Sequence, residues 1–100
     1  MIYHKFHNIP TEVGGVRFQS KKEAKHYAEL LLARKSGDLL FFLRQVPFHL
    51  AGDVKYLCDF VEFWAGGEVR FVDTKGFRTP MYILKKKQVE ATYPVTITET

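Results

Sequence analysis

A chain of 100 residues that is 46% hydrophobic and 15% aromatic is rich enough to close a core without metal or disulfide staples, so residues 1–100 read as a single domain. Its one cysteine, Cys58, excludes an intrachain disulfide and fits a reducing compartment. The net charge of +4 suits a polyanionic partner without demanding one.

In chain order, the opening MIYHKFHNIP carries charge and no apolar stretch, unlike a secretory signal, which makes the cytoplasm the expected location. His4 and His7 have a spacing a metal can use, but no third or fourth ligand follows nearby, so a zinc site is not expected. Thr11–Phe18 (TEVGGVRF) reads as a tight hairpin, Gly14–Gly15 supplying the positive φ angles of a two-residue turn. SKKEAKHYAELLLARKSGD then reads as a helix. Ser20 is its N-cap, Glu23 lies three places on as in a capping box, and Gly37 ends it. Ala24, Tyr27, Ala28 and Leu31 recur at helical spacing.

The β-rich run Leu39–Leu50 contains Pro47, which suits an edge strand or a bulge. Its longest aliphatic–aromatic stretch, LLFFL, is far too short to cross a bilayer. Val54–Trp64 is an aromatic-dense strand, Ala65–Gly67 a short loop, and Glu68–Lys75 a returning strand. Thr79 and Pro80 open a second helix that runs to about Thr92, and VTITE closes with a strand. The expected fold class is therefore α/β: a mixed central sheet flanked by two helices, with a short N-terminal hairpin.

The segment RFVDTKGFRTP, Arg70 to Pro80, raises the chemical question, because strands seldom bury charge without a partner or a task. With Ala65–Gly67 as the loop, opposed residue numbers sum to 132. Glu62 then faces Arg70 as a cross-strand charge pair, and Asp59 faces Asp73 on the other side, with Cβ atoms ~4.5–5.5 Å apart. A period of two carries Lys75 to the same face. Two carboxylates set among Leu57, Val61, Phe63 and Phe71 repel and are desolvated, so compensation is expected. Mg²⁺ or Mn²⁺ is the economical candidate, since such an ion takes one or two carboxylates and acidifies a coordinated water. Lys75 adds an ammonium for developing negative charge. Asp59, Asp73 and Lys75 thus form a coherent hydrolytic set for a phosphodiester.

Plainer readings stand beside these. An isolated D-x-K is often an exposed strand edge with a salt bridge, Glu23 is explained by the capping box, and Gln45 by an edge position. Cys58 reads as core. Lys85, Lys86 and Lys87 point about 100° apart around their helix, so at most one or two can face one duplex. No phosphate-cradling glycine loop and no nucleophile–histidine pairing is evident.

TEVGGVRFQSKKEAKHYAELLLARKSGDL, QVPFHL, VKYLCDFVEF and VDTKGFRTPMYILKKK together resemble the DUF1064 family of small phage and prophage proteins, over nearly the whole chain, from about Tyr3 to Thr98. That family is similar to compact members of the PD-(D/E)xK, restriction endonuclease-like superfamily, which includes Holliday junction resolvases. The resemblance implies a restriction endonuclease-like core with Asp59 and Asp73 as metal ligands, Lys75 as the catalytic lysine, and Glu23 on the first helix touching the metal directly or through water. Gln45 takes the place of a polar residue near the active site. Cys58 stands where the motif name has proline, a freely varied position, and Asp73 is the shorter of the two acids its position admits.

The expected function is a Mg²⁺- or Mn²⁺-dependent DNA endonuclease of phage recombination or replication, acting in the host cytoplasm. With no room for a separate recognition domain, structure-directed cutting of branched DNA or nonspecific cutting is expected over sequence-specific cleavage. Arg78 and the N-terminus of the second helix, with Lys85, Lys86 and Lys87, are expected to meet DNA phosphates. A homodimer is admitted by analogy with resolvases, with Phe42 or Trp64 as contact candidates. Two alternatives stay open: a non-catalytic DNA-binding module on the same fold, and an inhibitor or scaffold that binds a host protein.

Overall fold

The computed structural model describes residues 11–100; the His4/His7 pair and the charged opening segment lie outside the described residues. In order come β1 (Thr11–Val13), β2 (Val16–Phe18), α1 (Lys21–Ser36), β3 (Leu39–Leu50), β4 (Val54–Trp64), β5 (Val69–Asp73), α2 (Pro80–Thr92) and β6 (Ile97–Glu99). The expected order holds. Each boundary has a local cause: Val13 pairs with Val16 across Gly14 and Gly15, both at positive φ. Ser20 Oγ accepts the Glu23 N–H at the start of α1, Gly37 closes it at φ 90°, and Thr79 caps α2 ahead of Pro80.

β1 and β2 form their own small ribbon, while the main sheet runs β3-β4-β5-β6. β3/β4 and β4/β5 are antiparallel, and β6 joins β5 in parallel, which makes the sheet mixed. β3 is an edge strand, consistent with Pro47. Phe60 pairs with Val72, Val61 with Phe71, Glu62 with Arg70 and Phe63 with Val69, the register deduced from the glycine loop.

Two cores flank the sheet. Phe18, Ala24, Leu30, Leu39, Phe60 and Val72 pack beneath α1, and Tyr56, Cys58, Val61, Tyr82, Val89 and Ile97 pack beside α2. Strict alternation would send residues 56, 58 and 60 to one cluster. Instead Tyr56 and Cys58 join the α2 cluster and Phe60 the α1 cluster, so the β3–β4 ribbon turns its face near residue 59. Opposite that point Gln45 has φ 52°, a left-handed backbone that is costly outside glycine.

Three expectations change in detail. Residue 62 does lie opposite residue 70, yet the charges do not pair. Glu62 is 1% exposed and its Oε2 meets His26 Nε2 at 2.6 Å, while Trp64 Nε1 donates to Oε1. Arg70 turns outward, donating to Glu68 at 2.9 Å with its guanidinium over the Trp64 ring. Burial explains the exchange: the α1 histidine reaches the sealed face, which a solvated guanidinium does not. β5 ends at Asp73, leaving Lys75 beyond the strand. Phe42 and Trp64 are partly buried against the α1 core, and the exposed apolar residues on β3 and β5 are Leu40, Phe41, Leu43 and Val69. No helix among the described residues is long and apolar enough to cross a membrane.

Candidate functional site

The ladder between β4 and β5 stops at Phe60–Val72, and the next residues outward are Asp59 and Asp73. There side chains replace ladder bonds. Asp59 N–H donates to Asp73 Oδ1 at 3.1 Å, and Thr74 donates to Asp59 Oδ2 from both its N–H and its hydroxyl, each at 3.0 Å. The two acids therefore meet where the strands part, with Asp59 7% and Asp73 0% exposed. Among the described residues Asp73 Oδ2 has no hydrogen-bond partner, and buried polar atoms are seldom left so.

α1 supplies the third acid. The Glu23 carboxylate is not turned back onto its own helix end; its Oε2 accepts from Gln45 Nε2 at 3.0 Å, and the same amide nitrogen donates to Asp59 Oδ1 at 3.1 Å. One amide thus bridges two carboxylates, from the left-handed residue of β3. Arg44, next along β3, lies 3.9 Å from Glu23 Oε2 and stacks over the Phe18 and Tyr27 rings. The capping box is therefore half realised: Ser20 caps, and Glu23 is drawn to the sheet.

Burial, with the Asp59 charge second, pushes the Glu23 carboxyl above its usual range, and burial does the same to Asp73. Lys75 opposes both shifts, so its ammonium acts on the two acids although it lies past the strand end. Its Nζ stands 5.5 Å from the Tyr82 ring centre. Lys75 also lines a cleft of about 290 Å³ with Lys55, Tyr56, Leu57, Thr79, Met81, Tyr82 and Lys85. A buried acid pair and a basic cleft therefore share one lysine.

The fold brings together Glu23, Gln45, Asp59, Asp73 and Lys75 and leaves other expected residues elsewhere. Among the described residues no three His, Cys, Asp or Glu side chains form a ready metal cluster. Glu23 approaches Asp59 through the Gln45 amide. Arg78 Nε lies 3.3 Å and Lys86 Nζ 3.7 Å from Glu99 Oε2, which also accepts from the Tyr82 hydroxyl at 2.7 Å. That hydrogen bond, with the two cations, holds Glu99 below its usual carboxylate value. Arg78 and Lys86 are thus engaged within the protein, Lys85 faces the cleft, and Lys87 is simply exposed. Cys58 is fully buried, its Sγ set against the Phe60 and Val72 carbonyls, and burial pushes its thiol up to about 11, as expected of core.

Thr74 and Lys55 were not singled out from the sequence. Thr74 had a signal, standing between an acid and a lysine on the suspect strand; Lys55 had none, since its place in the cleft depends on α2.

A family model described as a protein of unknown function, DUF1064, matches residues 3–99. No curated protein and no solved structure matches the chain.

Proposed function

This chain belongs to the DUF1064 family, and from its site we propose that it is a metal-dependent DNA endonuclease of the PD-(D/E)xK, restriction endonuclease-like kind, directed to branched DNA as Holliday junction resolvases are. The observation that carries the reading is Asp73, sealed from solvent beside Asp59, with one carboxylate oxygen that no described residue satisfies. A divalent cation is the simplest group to satisfy it. The donor set fits: Asp59 and Asp73 would hold Mg²⁺ or Mn²⁺, and Glu23, already tied to Asp59 through Gln45, would support it. A cation held there supplies Lewis-acid polarisation of a phosphodiester and acidifies water.

The protein's own groups do the rest. Lys75 belongs both to the acid pair's surroundings and to the basic cleft, so a phosphate seated in the cleft meets its ammonium as negative charge builds on the phosphoryl oxygens. Thr74 fixes Asp59 Oδ2 through two hydrogen bonds, holding that carboxylate in one orientation. Glu23, with its raised proton affinity, is suited to take a proton near the site.

A second reading has its own support. The Gln45 amide already stabilises the Glu23–Asp59 pair, which suits a non-catalytic DNA-binding module. Incubating the protein with supercoiled plasmid and with a four-way junction, in Mg²⁺, Mn²⁺ or EDTA, separates the two. The nuclease reading expects nicking or linearisation only with metal, preferential cutting of the junction, and loss of both in Asp73→Ala with DNA binding retained. Salt-sensitive binding with no cutting under any condition returns the module.

A further inference from the structure

The cleft beside Lys75 is more than a phosphate contact. Its three lysines come from β4 (Lys55), the segment after β5 (Lys75) and α2 (Lys85), so the fold converges separate cations on one hollow. Leu57 and Met81, 48% and 59% exposed, line the same hollow. The connection from Lys75 to Thr79, both of which line the cleft, carries Phe77 at 79% exposure, the most exposed large apolar residue among those described. Glycine precedes Phe77 and arginine follows it.

Ammonium groups alone would suit any polyanion, including the flank of a duplex. Exposed apolar side chains among them are useful only to a ligand that offers flat apolar faces along with its phosphates. A paired duplex keeps its base faces inside the stack, whereas an unpaired strand presents them, and an aromatic side chain with neighbouring lysines is the usual means of holding one. At about 290 Å³ the hollow sits at the small end of ligand pockets, roughly 300 Å³ and up, a nucleotide-sized space rather than a duplex-sized one.

We infer that the Lys55–Lys75–Lys85 cleft seats unpaired DNA, with phosphates on the ammonium groups and a base stacked on Phe77 at the rim. This deepens the nuclease reading, on which it rests for the choice of DNA among polyanions. It assigns to Phe77 and Lys55 the selection of splayed over fully paired substrate.

The test is binding in EDTA, where nothing is cut, measured by fluorescence anisotropy. The probes are a fluorescein-labelled oligothymidylate, a duplex of equal length and the matching oligouridylate. The parent binds the DNA single strand at least tenfold tighter than the duplex. Phe77→Ala weakens single-strand binding roughly five- to a hundredfold, as expected for loss of one stacking contact, and leaves duplex binding within twofold. Lys55→Gln lowers the single-strand salt slope by about 0.7, while Lys35→Gln, on the exposed end of α1, leaves it unchanged. Duplex binding as tight as single-strand binding, an unchanged Phe77→Ala variant, or tenfold preference for the ribo-strand would each overturn the inference. A chain that binds in this way yet never cuts with Mg²⁺ keeps the inference and loses the nuclease; a chain that cuts while Phe77→Ala is neutral does the reverse.

Discussion

Asp59 gives its backbone N–H to Asp73 Oδ1 at 3.1 Å, so one acid of the pair is oriented by the main chain of the other. The bond stands where the next ladder bond of the sheet would be, one residue past Phe60–Val72. Sheet formation and carboxylate orientation are therefore one event: closing β4 against β5 fixes Oδ1 and leaves Oδ2 buried without a partner among the described residues. A group held in this way costs the free protein stability and gains from any ligand that satisfies it.

Asp73→Asn is expected to raise thermal stability at neutral pH. Asparagine keeps the Oδ1 acceptor and removes the buried charge, while its amide N–H groups inherit the unpartnered position, so the gain comes from the relieved charge burial alone, on the order of 1 kcal/mol. At ~4–8 °C per kcal/mol for a domain of this size, the melting temperature rises by several degrees. The pH dependence has a definite sign. Burial raises the folded carboxyl above its ordinary 3.8, so between those values the folded chain binds more protons than the unfolded one, and this group's contribution falls as pH rises. The gap between variant and parent is thus small in acid and opens from the ordinary carboxylate range up through the raised folded value. Saturating Mg²⁺ raises the melting temperature of the parent and not of the variant. Scanning fluorimetry across pH, with and without metal, checks both; a parent more stable than Asp73→Asn at pH 7 defeats the account.

Gln45 makes a second prediction, because its backbone and its side chain pull in opposite directions. Its φ of 52° costs a non-glycine residue roughly 1–2 kcal/mol, while its amide bridges Glu23 and Asp59. Gln45→Ala loses the bridge and keeps the strain; Gln45→Gly loses both. The glycine variant is therefore expected to be the more stable of the two by about 1 kcal/mol in urea denaturation. In either, loss of the amide removes one of the influences that lower the Glu23 carboxyl, so Glu23 titrates at higher pH by carboxyl NMR. An unmoved Glu23 titration would show that the bridge is not what holds it.

What was legible in the sequence has short-range causes. Ser20, Gly37, Thr79–Pro80 and Gly14–Gly15 act on their own turns, and the Ala65–Gly67 loop sets the register that brings residues 59 and 73 together. What was not legible depends on helices folding back over the sheet. Glu62 passes over Arg70, directly opposite, for His26, 36 residues away in the chain. Alternation put Lys75 on a strand that ends two residues earlier, and Gln45 looked like an edge residue because nothing local marks a left-handed bridge to α1. Arg78 and Lys86 appeared free because Glu99, their partner, sits on a strand that pairs in parallel with β5.

Lys75→Met isolates the ammonium from the rest of the site. Methionine matches much of the apolar stem and leaves Asp59, Thr74 and Asp73 bonded to one another. Under the nuclease reading, kcat falls by about 10²–10³, the scale for removing one preorganised electrostatic partner. The Mg²⁺-dependent rise in melting temperature persists, because the acids are intact. Single-turnover cleavage measures the first and fluorimetry the second. Full cleavage by Lys75→Met would remove the lysine from the mechanism.

His26 separates structural acids from the candidate site. Glu62 is as deeply buried as Asp73, but its oxygens are engaged, Oε2 by His26 Nε2 at 2.6 Å and Oε1 by Trp64 Nε1 at 3.1 Å. The His26 ring also packs 4.9 Å from the Phe60 ring, between centroids, so it joins α1 to β4 by contact as well as polarity. Removing it in His26→Ala leaves Glu62 with half its partners, and breaking a buried pair costs on the order of 3 kcal/mol. The expected drop in melting temperature is correspondingly large, about 12–24 °C at ~4–8 °C per kcal/mol. Replacing both, as His26→Leu with Glu62→Leu, recovers part of the loss, since no carboxyl is then left unpaired. Mg²⁺ still raises the melting temperature of the double variant, because Asp59 and Asp73 are untouched. A double variant as unstable as His26→Ala would show that the ring's packing, rather than its bond to Glu62, is what the core requires.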